Sequence, residues 1–254
     1  MHLARYEHGG KVHHGIVEGD QIAEVAGDFF GSYQRTGATV PLSLVVLKAP
    51  VVPSKIINLA GNYLSHMGER PPFNKPQPFL AAPSSVNDPY GVVLIPRGST
   101  KVHYEGEMAV VISARCRKVT EAEAPQYVLG VCAANDVSER DWQNGPDKDV
   151  QWWRAKSADT FSPFGPWITT GLNPGSLRLV TRVNGKIVQD TNTSQLIFGV
   201  NAIISFVSQN MTLEPGDVIF TGTSGKTSSV NAGDIMEVEL EGCGTIRNPV
   251  ANEP

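Results

Sequence analysis

A chain of 254 residues, 41% hydrophobic and 18% charged, is long enough to bury the core of one full-sized domain, alone or with a small appendage. Its formal charge of -4, with no run of Lys and Arg, offers no footprint for a phosphate backbone and argues against a nucleic-acid partner. Cys116, Cys132 and Cys243 are far apart, odd in number and without a CxxC pair, which argues against a disulfide framework or a structural zinc site and suits a reducing cytoplasm. The N-terminus MHLARYEHGG has no basic segment followed by an apolar one, and no stretch approaches the roughly 18 apolar residues of a membrane span. A cytoplasmic protein with no membrane partner is expected.

Twenty-five Gly and 18 Pro without a period indicate many turns between short strands. Residues 1 to about 26 alternate apolar and polar around Gly9-Gly10 and Glu18-Gly19-Asp20, as an antiparallel meander does. A helical stretch is predicted over Pro41 to Lys48. Pro50 and Pro53 then bracket Val51-Val52 and divide the chain into a small N-terminal lobe, residues 1–52, and a main domain, residues 53–254. In the main domain strands are predicted at Lys55 to Leu59, Val92 to Pro96, Glu107 to Ser113 and Val128 to Ala133. A hairpin follows over Leu177 to Gln189, folded at Asn184-Gly185, then strands at Asp217 to Thr221, Ile235 to Leu240 and Gly244 to Asn248. Helices are fewer: one opening at Thr120, where Glu123 completes a capping box, one from Ser138 to Gln143, and one from Val200 to Ser208. Strands and helices do not alternate regularly, which disfavours a doubly wound sheet or a βα barrel and leaves an α+β, β-rich fold.

Four polar constellations stand out. In Tyr104-Glu105-Gly106-Glu107 the two carboxylates, two apart at the start of a strand, face one side and can converge on a cation, although a solvated strand start has the same pattern. Asp136 ends the apolar run VLGVCAA, and Arg140 and Gln143 follow at helical spacing; taken alone, Asp136 is best read as the N-cap of that helix. His66 and Glu69, three apart, are the minimum equipment for activating water if they share a helical turn, but the run to Pro71-Pro72 has the composition of a loop. Arg154 to Thr160, with Lys156 inside it, is a polar run that leads into the Pro-rich turn SPFGP. TGTSGKTS after the strand DVIF is not a phosphate loop, because position 220 is Phe where that motif needs Gly and a strand follows it.

In order, YEGE, NDVSERDWQ, KSADTFSPFGPW, GDVIFTGT and GCGTIRNPV resemble segments of the fumarylacetoacetate hydrolase family, from about Pro53 to Val250. The resemblance implies that family's β-rich mixed fold with a small N-terminal lobe, and a homodimer. It makes Glu105, Glu107 and Asp136 the metal ligands, and an all-oxygen set of this kind suits Mg²⁺ or Mn²⁺. His66 with Glu69 matches the dyad that activates water in the acylpyruvate-hydrolysing branch. Lys156 falls on a charge-stabilising position, and Arg140, Gln143 and Thr223 on substrate-contacting ones.

The implied activity is hydrolysis of a carbon-carbon bond in a 2,4-dioxo acid of the acylpyruvate or fumarylpyruvate type, giving pyruvate and a carboxylic acid. The alternatives are decarboxylation or enol-keto isomerisation of a 2-keto (di)acid in aromatic catabolism, and a non-catalytic ligand-binding protein on the same fold. Two departures bear on the substrate: Phe79-Leu80-Ala81-Ala82-Pro83 replaces Phe-Leu-Lys-Pro-Pro, and Thr221-Gly222-Thr223-Ser224-Gly225 replaces TGTPxG. Asn62 to Asn74, which carries the His-Glu pair, is expected to close over the site when a keto acid binds.

Overall fold

The computed structural model describes residues 1–254. An antiparallel meander opens the chain: β1 (His2–His8), β2 (Lys11–Glu18), β3 (Gln21–Gly27) and β4 (Tyr33–Pro41). Its first turn is Gly9-Gly10, whose φ values of 58° and 74° are open to glycine at no steric cost. Where a helix was predicted over Pro41 to Lys48, the chain makes only a 3-10 turn at Leu42–Leu44 and then β5 (Val46–Lys48). Pairing of β5 with β1, Tyr6 opposite Leu47, buries Leu47 and prevails over local helical periodicity.

The chain continues through β6 (Ile56–Leu59), α1 (Leu64–Met67), β7 (Pro78–Ala81), β8 (Val86–Asn87), β9 (Val93–Ile95) and β10 (Val102–His103). Next come β11 (Gly106–Ile112), β12 (Val128–Asn135), β13 (Ser138–Glu139), α2 (Arg140–Asn144), α3 (Trp153–Ser157) and β14 (Ser162–Thr169). The last third holds β15 (Arg178–Val183), β16 (Lys186–Asn192), α4 (Val200–Ser208), β17 (Val218–Phe220), β18 (Ile235–Leu240) and β19 (Gly244–Asn252). The predicted hairpin turn is present, with Asn184 at φ 52° and Gly185 at φ 77°. At Thr120 the capping box forms, Thr120 N–H donating to Glu123 at 2.8 Å. The turn leads only into a 3-10 segment, Ala124–Tyr127, because Val128 already enters β12.

One sheet runs β4-β3-β2-β1-β14-β12-β11-β17-β6-β7, and a second runs β16-β15-β18-β19-β9. The N-terminal strands join the main sheet through β1 and β14, so the sheet passes unbroken across the Pro50–Pro53 crossing. β14 is the longest main-domain element missing from the sequence prediction, which read SPFGP as a turn. Its two prolines each remove a ladder donor, and its register against β12 shifts between Val131 and Ala133.

β11 and β12 are buried on both faces. Met108, Val110 and Ile112 face a core shared with α4 and the second sheet, through residues such as Ile203, Leu179, Val238 and Ile246. Ala109 and Val111 face an opposite core with Phe164, Phe220 and Leu3. This double burial explains the near-continuous apolar run of β11. No helix is long and apolar enough to cross a membrane.

Candidate functional site

β11 and β12 pair antiparallel with Gly106 opposite Asn135 and Glu107 opposite Ala134, so the start of one strand meets the end of the other. The Asp136 amide donates to the Glu105 carbonyl at 2.9 Å, and the Asn135 side chain accepts from the Glu105 amide at 2.8 Å. This crossing gathers Glu105, Glu107 and Asp136 with carboxylate oxygens within 4.8 Å of one another, all three buried. Asp136 is not the cap of α2. β13 intervenes, and Glu139 caps the helix by accepting from Trp142 N–H at 2.6 Å.

Three buried carboxylates face two permanent cations. Lys156, far from solvated in its polar run, is itself buried, and its ammonium bridges Glu105 Oε2 at 2.7 Å and Asp136 Oδ2 at 2.5 Å. Arg140 pairs with Glu105 Oε1. Burial alone would push the Glu105 carboxyl up, but the cations of Arg140 and Lys156 outweigh it and hold the group below the usual carboxylate range. Burial, then the negative charges of Asp136 and Glu105, push Glu107 well above that range; its only direct partner is the Gly222 N–H, which donates at 2.6 Å. Burial also pushes Asp136 up, to about 6, against the pull of Lys156. Asp136 Oδ1 is buried with no partner.

An orphaned carboxylate oxygen and a neighbouring carboxyl pushed up by burial and by two negative charges are what a divalent cation would relieve, so the donor set fits a hard metal ion. Binding must displace protons from Glu107 and Asp136. Metal affinity is therefore expected to fall as pH drops through about 6, the folded value of Asp136. Calorimetric titration with Mg²⁺ in two buffers of different ionisation enthalpy measures the released protons; no proton release at pH 6 would count against this ligand set.

A cleft of about 140 Å³ opens on the triad and is also lined by His66, Arg140, Gln143, Lys156 and Thr223. His66 Nδ1 lies 2.6 Å from the Gly225 carbonyl, to which it can only donate, and Nε2 lies 3.5 Å from Glu105 Oε1. Glu69 is not brought to His66. α1 ends at Met67, Gly68 turns the chain at φ 63°, and Glu69 is exposed with no hydrogen bond to the imidazole. The expected moving segment is also tied down in its first half. Asn62 bonds Thr221 and Phe198 at 2.8 to 3.0 Å, and Tyr63 and Met67 are buried, with Leu64 and Ser65 exposed between them and the part after Met67 exposed throughout. Gln143 accepts from Arg140 at 2.6 Å through its amide oxygen, leaving its nitrogen for a ligand.

Thr223 does not present a free hydroxyl, because it donates to the Gly106 carbonyl at 3.0 Å and accepts from Gln189 at 2.8 Å. Gln189 is a residue that the sequence did not single out. From β16 in the second sheet it accepts from Gly106 N–H at 3.0 Å and donates to the Ser224 carbonyl at 2.6 Å, bracing the peptide between the two glutamates. No local pattern marks it, since the contact joins residues 83 apart. Gly106 has no room for a side chain: a Cβ would stand 1.8 Å from Thr181 Oγ1. Gly106→Ala should destabilise the fold by about 3 kcal/mol, the upper range for overpacking, and displace both glutamates. Urea unfolding checks it, and an unchanged midpoint would mean that Thr181 yields freely. Phe79 and Trp152, also unforeseen, wall the cleft edge to face, 5.3 Å apart at 82°.

A β-rich α+β fold whose two central strands meet at a buried carboxylate triad defines a superfamily of enzymes. The chain belongs to the fumarylacetoacetate hydrolase family: residues 55–251 match the domain described as Fumarylacetoacetate (FAA) hydrolase C-terminal, and residues 1–50 match that described as Rv2993c-like, N-terminal. Among solved structures it is similar to 5-carboxymethyl-2-hydroxymuconate delta-isomerase from Mycobacterium smegmatis, 38% identical over 100% of both chains with TM-score 0.93. It is also similar to maleylpyruvate hydrolase from Sphingobium sp. SYK-6, 29% identical over 100% of both chains with TM-score 0.83. The mitochondrial oxaloacetate tautomerase of Rattus norvegicus is 39% identical over 83% of this chain and 71% of that protein. The family thus includes proteins named as hydrolases, isomerases and tautomerases.

Proposed function

We propose that the protein is a divalent-metal-dependent enzyme that moves a proton at the carbon beside the carbonyl of a small 2-keto acid, interconverting its enol and keto forms. The orientation of His66 carries this reading. The hydrogen bond from Nδ1 to Gly225 sets the tautomer in which Nε2 is the free base, and Nε2 faces the triad inside the cleft. Glu105, Glu107 and Asp136 would hold the metal, which when bound supplies Lewis-acid stabilisation of negative charge on the substrate's 2-oxo oxygen. Lys156 and Arg140 keep Glu105 ionised, and Lys156 draws Asp136 the same way against its burial. The Gln143 amide nitrogen and the Arg140 guanidinium stand at the cleft wall to orient the acid. His66 Nε2 takes the proton from the substrate carbon or returns it. The tautomerase and isomerase relatives support this reading.

Hydrolysis of a 2,4-dioxo acid to pyruvate and a carboxylic acid is the second reading, favoured by the likeness to maleylpyruvate hydrolase. It asks more of the chain, because Glu69 would have to swing from solvent to His66 to support deprotonation of a water. Decarboxylation shares the enolate chemistry without that water. A purely ligand-binding role is disfavoured, because clustering three carboxylates has no physical use unless charge is to be held there. The test compares two assays with Mg²⁺ present. The enol of oxaloacetate is followed by its loss of ultraviolet absorbance, and acetylpyruvate by release of pyruvate. Acceleration of the first without the second is expected; pyruvate release with no acceleration of the first would overturn the reading in favour of hydrolysis.

A further inference from the structure

Beside the carboxylate cleft lies a second cavity of about 500 Å³, several times the size of the first. Ala60, Phe73, Phe79 and Trp152 line both, so the two spaces are neighbours on either side of shared side chains. Outward the larger part is walled by Leu80, Val150 and Trp153, which are 51%, 99% and 62% exposed. Large apolar side chains gathered in water around a cleft mark a binding surface more often than chance exposure does. None of the annex's lining residues is ionisable; its polar side chains are the amides of Gln77 and Gln151. The nearest guanidinium in sequence, Arg154, is already paired with Asp149 at 3.0 Å and Asp147 at 3.3 Å.

The wall between the two spaces is built at a cost. Trp152 sits at φ 58°, a left-handed conformation that a bulky residue rarely adopts, and this sets its ring edge-on to Phe79. Phe79 in turn lies 5.5 Å from Lys156 Nζ, so one ring meets the triad's lysine on one side and the annex on the other.

We propose that the annex is the subsite for the far end of the substrate, and that this end is apolar and uncharged, an alkyl or aryl group. Phe79, Leu80, Val150, Trp152 and Trp153 then determine specificity. The inference rests on the reading of the cleft as a keto-acid site. A second carboxylate entering the annex would lose water among apolar side chains with no cation in the annex's own lining to receive it, whereas each methylene or ring carbon there is removed from water to advantage. The preferred substrates are therefore monocarboxylic 2-keto acids with an apolar tail, in place of dicarboxylic ones long enough to put the second carboxylate in the annex.

The experiment is calorimetric binding of 2-keto acids to the full chain saturated with Mg²⁺, using pyruvate, 2-oxobutanoate, 2-oxohexanoate, phenylpyruvate and 2-oxoglutarate. Affinity should rise about threefold per added methylene, and phenylpyruvate should bind about tenfold or more tighter than 2-oxoglutarate. Trp153→Ala should flatten the dependence on tail length. Val150→Lys, at a side chain in full contact with water that leaves the core untouched, should reverse the order of phenylpyruvate and 2-oxoglutarate. Failure of every 2-keto acid to bind would sink the reading of the cleft itself. Binding of all five with equal affinity would leave that reading intact and overturn the annex. The annex is equally overturned if Val150→Lys changes only the oligomeric state, measured by light scattering, since the surface would then be a contact between copies of the chain.

Discussion

Glu107→Gln should bind no Mg²⁺ and lose turnover by about 10³-fold or more, while melting in metal-free buffer at pH 7 no lower than the parent protein. The first half follows from the donor set: two carboxylates hold a hard ion poorly, and its Lewis-acid effect is worth several kcal/mol at tenfold per 1.36 kcal/mol. The second half follows from the charge balance. Glu107 has no cation in direct contact, and its carboxyl is pushed well above the ordinary range by burial and by Asp136 and Glu105. In the folded state it therefore keeps a proton that the unfolded chain releases. Raising pH from the ordinary carboxylate range through that raised value favours unfolding, so the metal-free parent is penalised at neutral pH. Gln removes the penalty and still accepts from Gly222 N–H. Asp136→Ala should lose metal and activity alike but melt lower, because it leaves Lys156 with one of its two carboxylate partners. Metal content, turnover and melting measured on the same preparations check this. Full activity in a Glu105, Glu107 double variant would refute the metal assignment.

His66→Ala should lower turnover by about 10² to 10⁴, the usual contribution of a positioned acid or base. Glu69→Gln should change it only slightly, because Glu69 lies in solvent beyond Gly68 and touches nothing in the site. The pair of variants separates the two mechanisms. If water activation by a His-Glu dyad is the chemistry, removing either member should cost a similar factor, and hydrogen exchange after Met67 should slow when oxalate binds. If proton transfer at carbon is the chemistry, only His66 matters. Rates on the oxaloacetate enol and on acetylpyruvate, with both variants, read the difference directly. Equal losses for the two variants would return the assignment to hydrolysis.

Much of the site was legible because its pieces are local. YEGE places two carboxylates two residues apart on a strand, where the pleat turns both the same way. Asn184-Gly185 can adopt the positive φ values that a two-residue hairpin turn needs, and the apolar spacing over Val200 to Ser208 is that of a helix with one buried face. Less local facts were lost. Asp136 taken alone is best read as a cap, and only β13, inserted between it and α2, shows why Glu139 takes that place. Lys156 reads as solvated because its neighbours are polar, yet it is buried by carboxylates that lie 51 and 20 residues away.

The sequence by itself determined the β-rich class, the hairpin, the helix over Val200 to Ser208, the carboxylates that form the triad and the family to which the chain belongs. Each of these depends on the order of residues over a short span, or on motifs that survive as short spans. Tertiary structure alone decided that SPFGPWIT is a central strand, that Glu69 stands apart from His66, that Gln189 braces Gly106, and that an uncharged annex opens beside the triad. These depend on which surfaces meet. A strand with two prolines is held by partners on both sides in spite of lost donors, and an amide on one sheet reaches a peptide on another only after both sheets have packed.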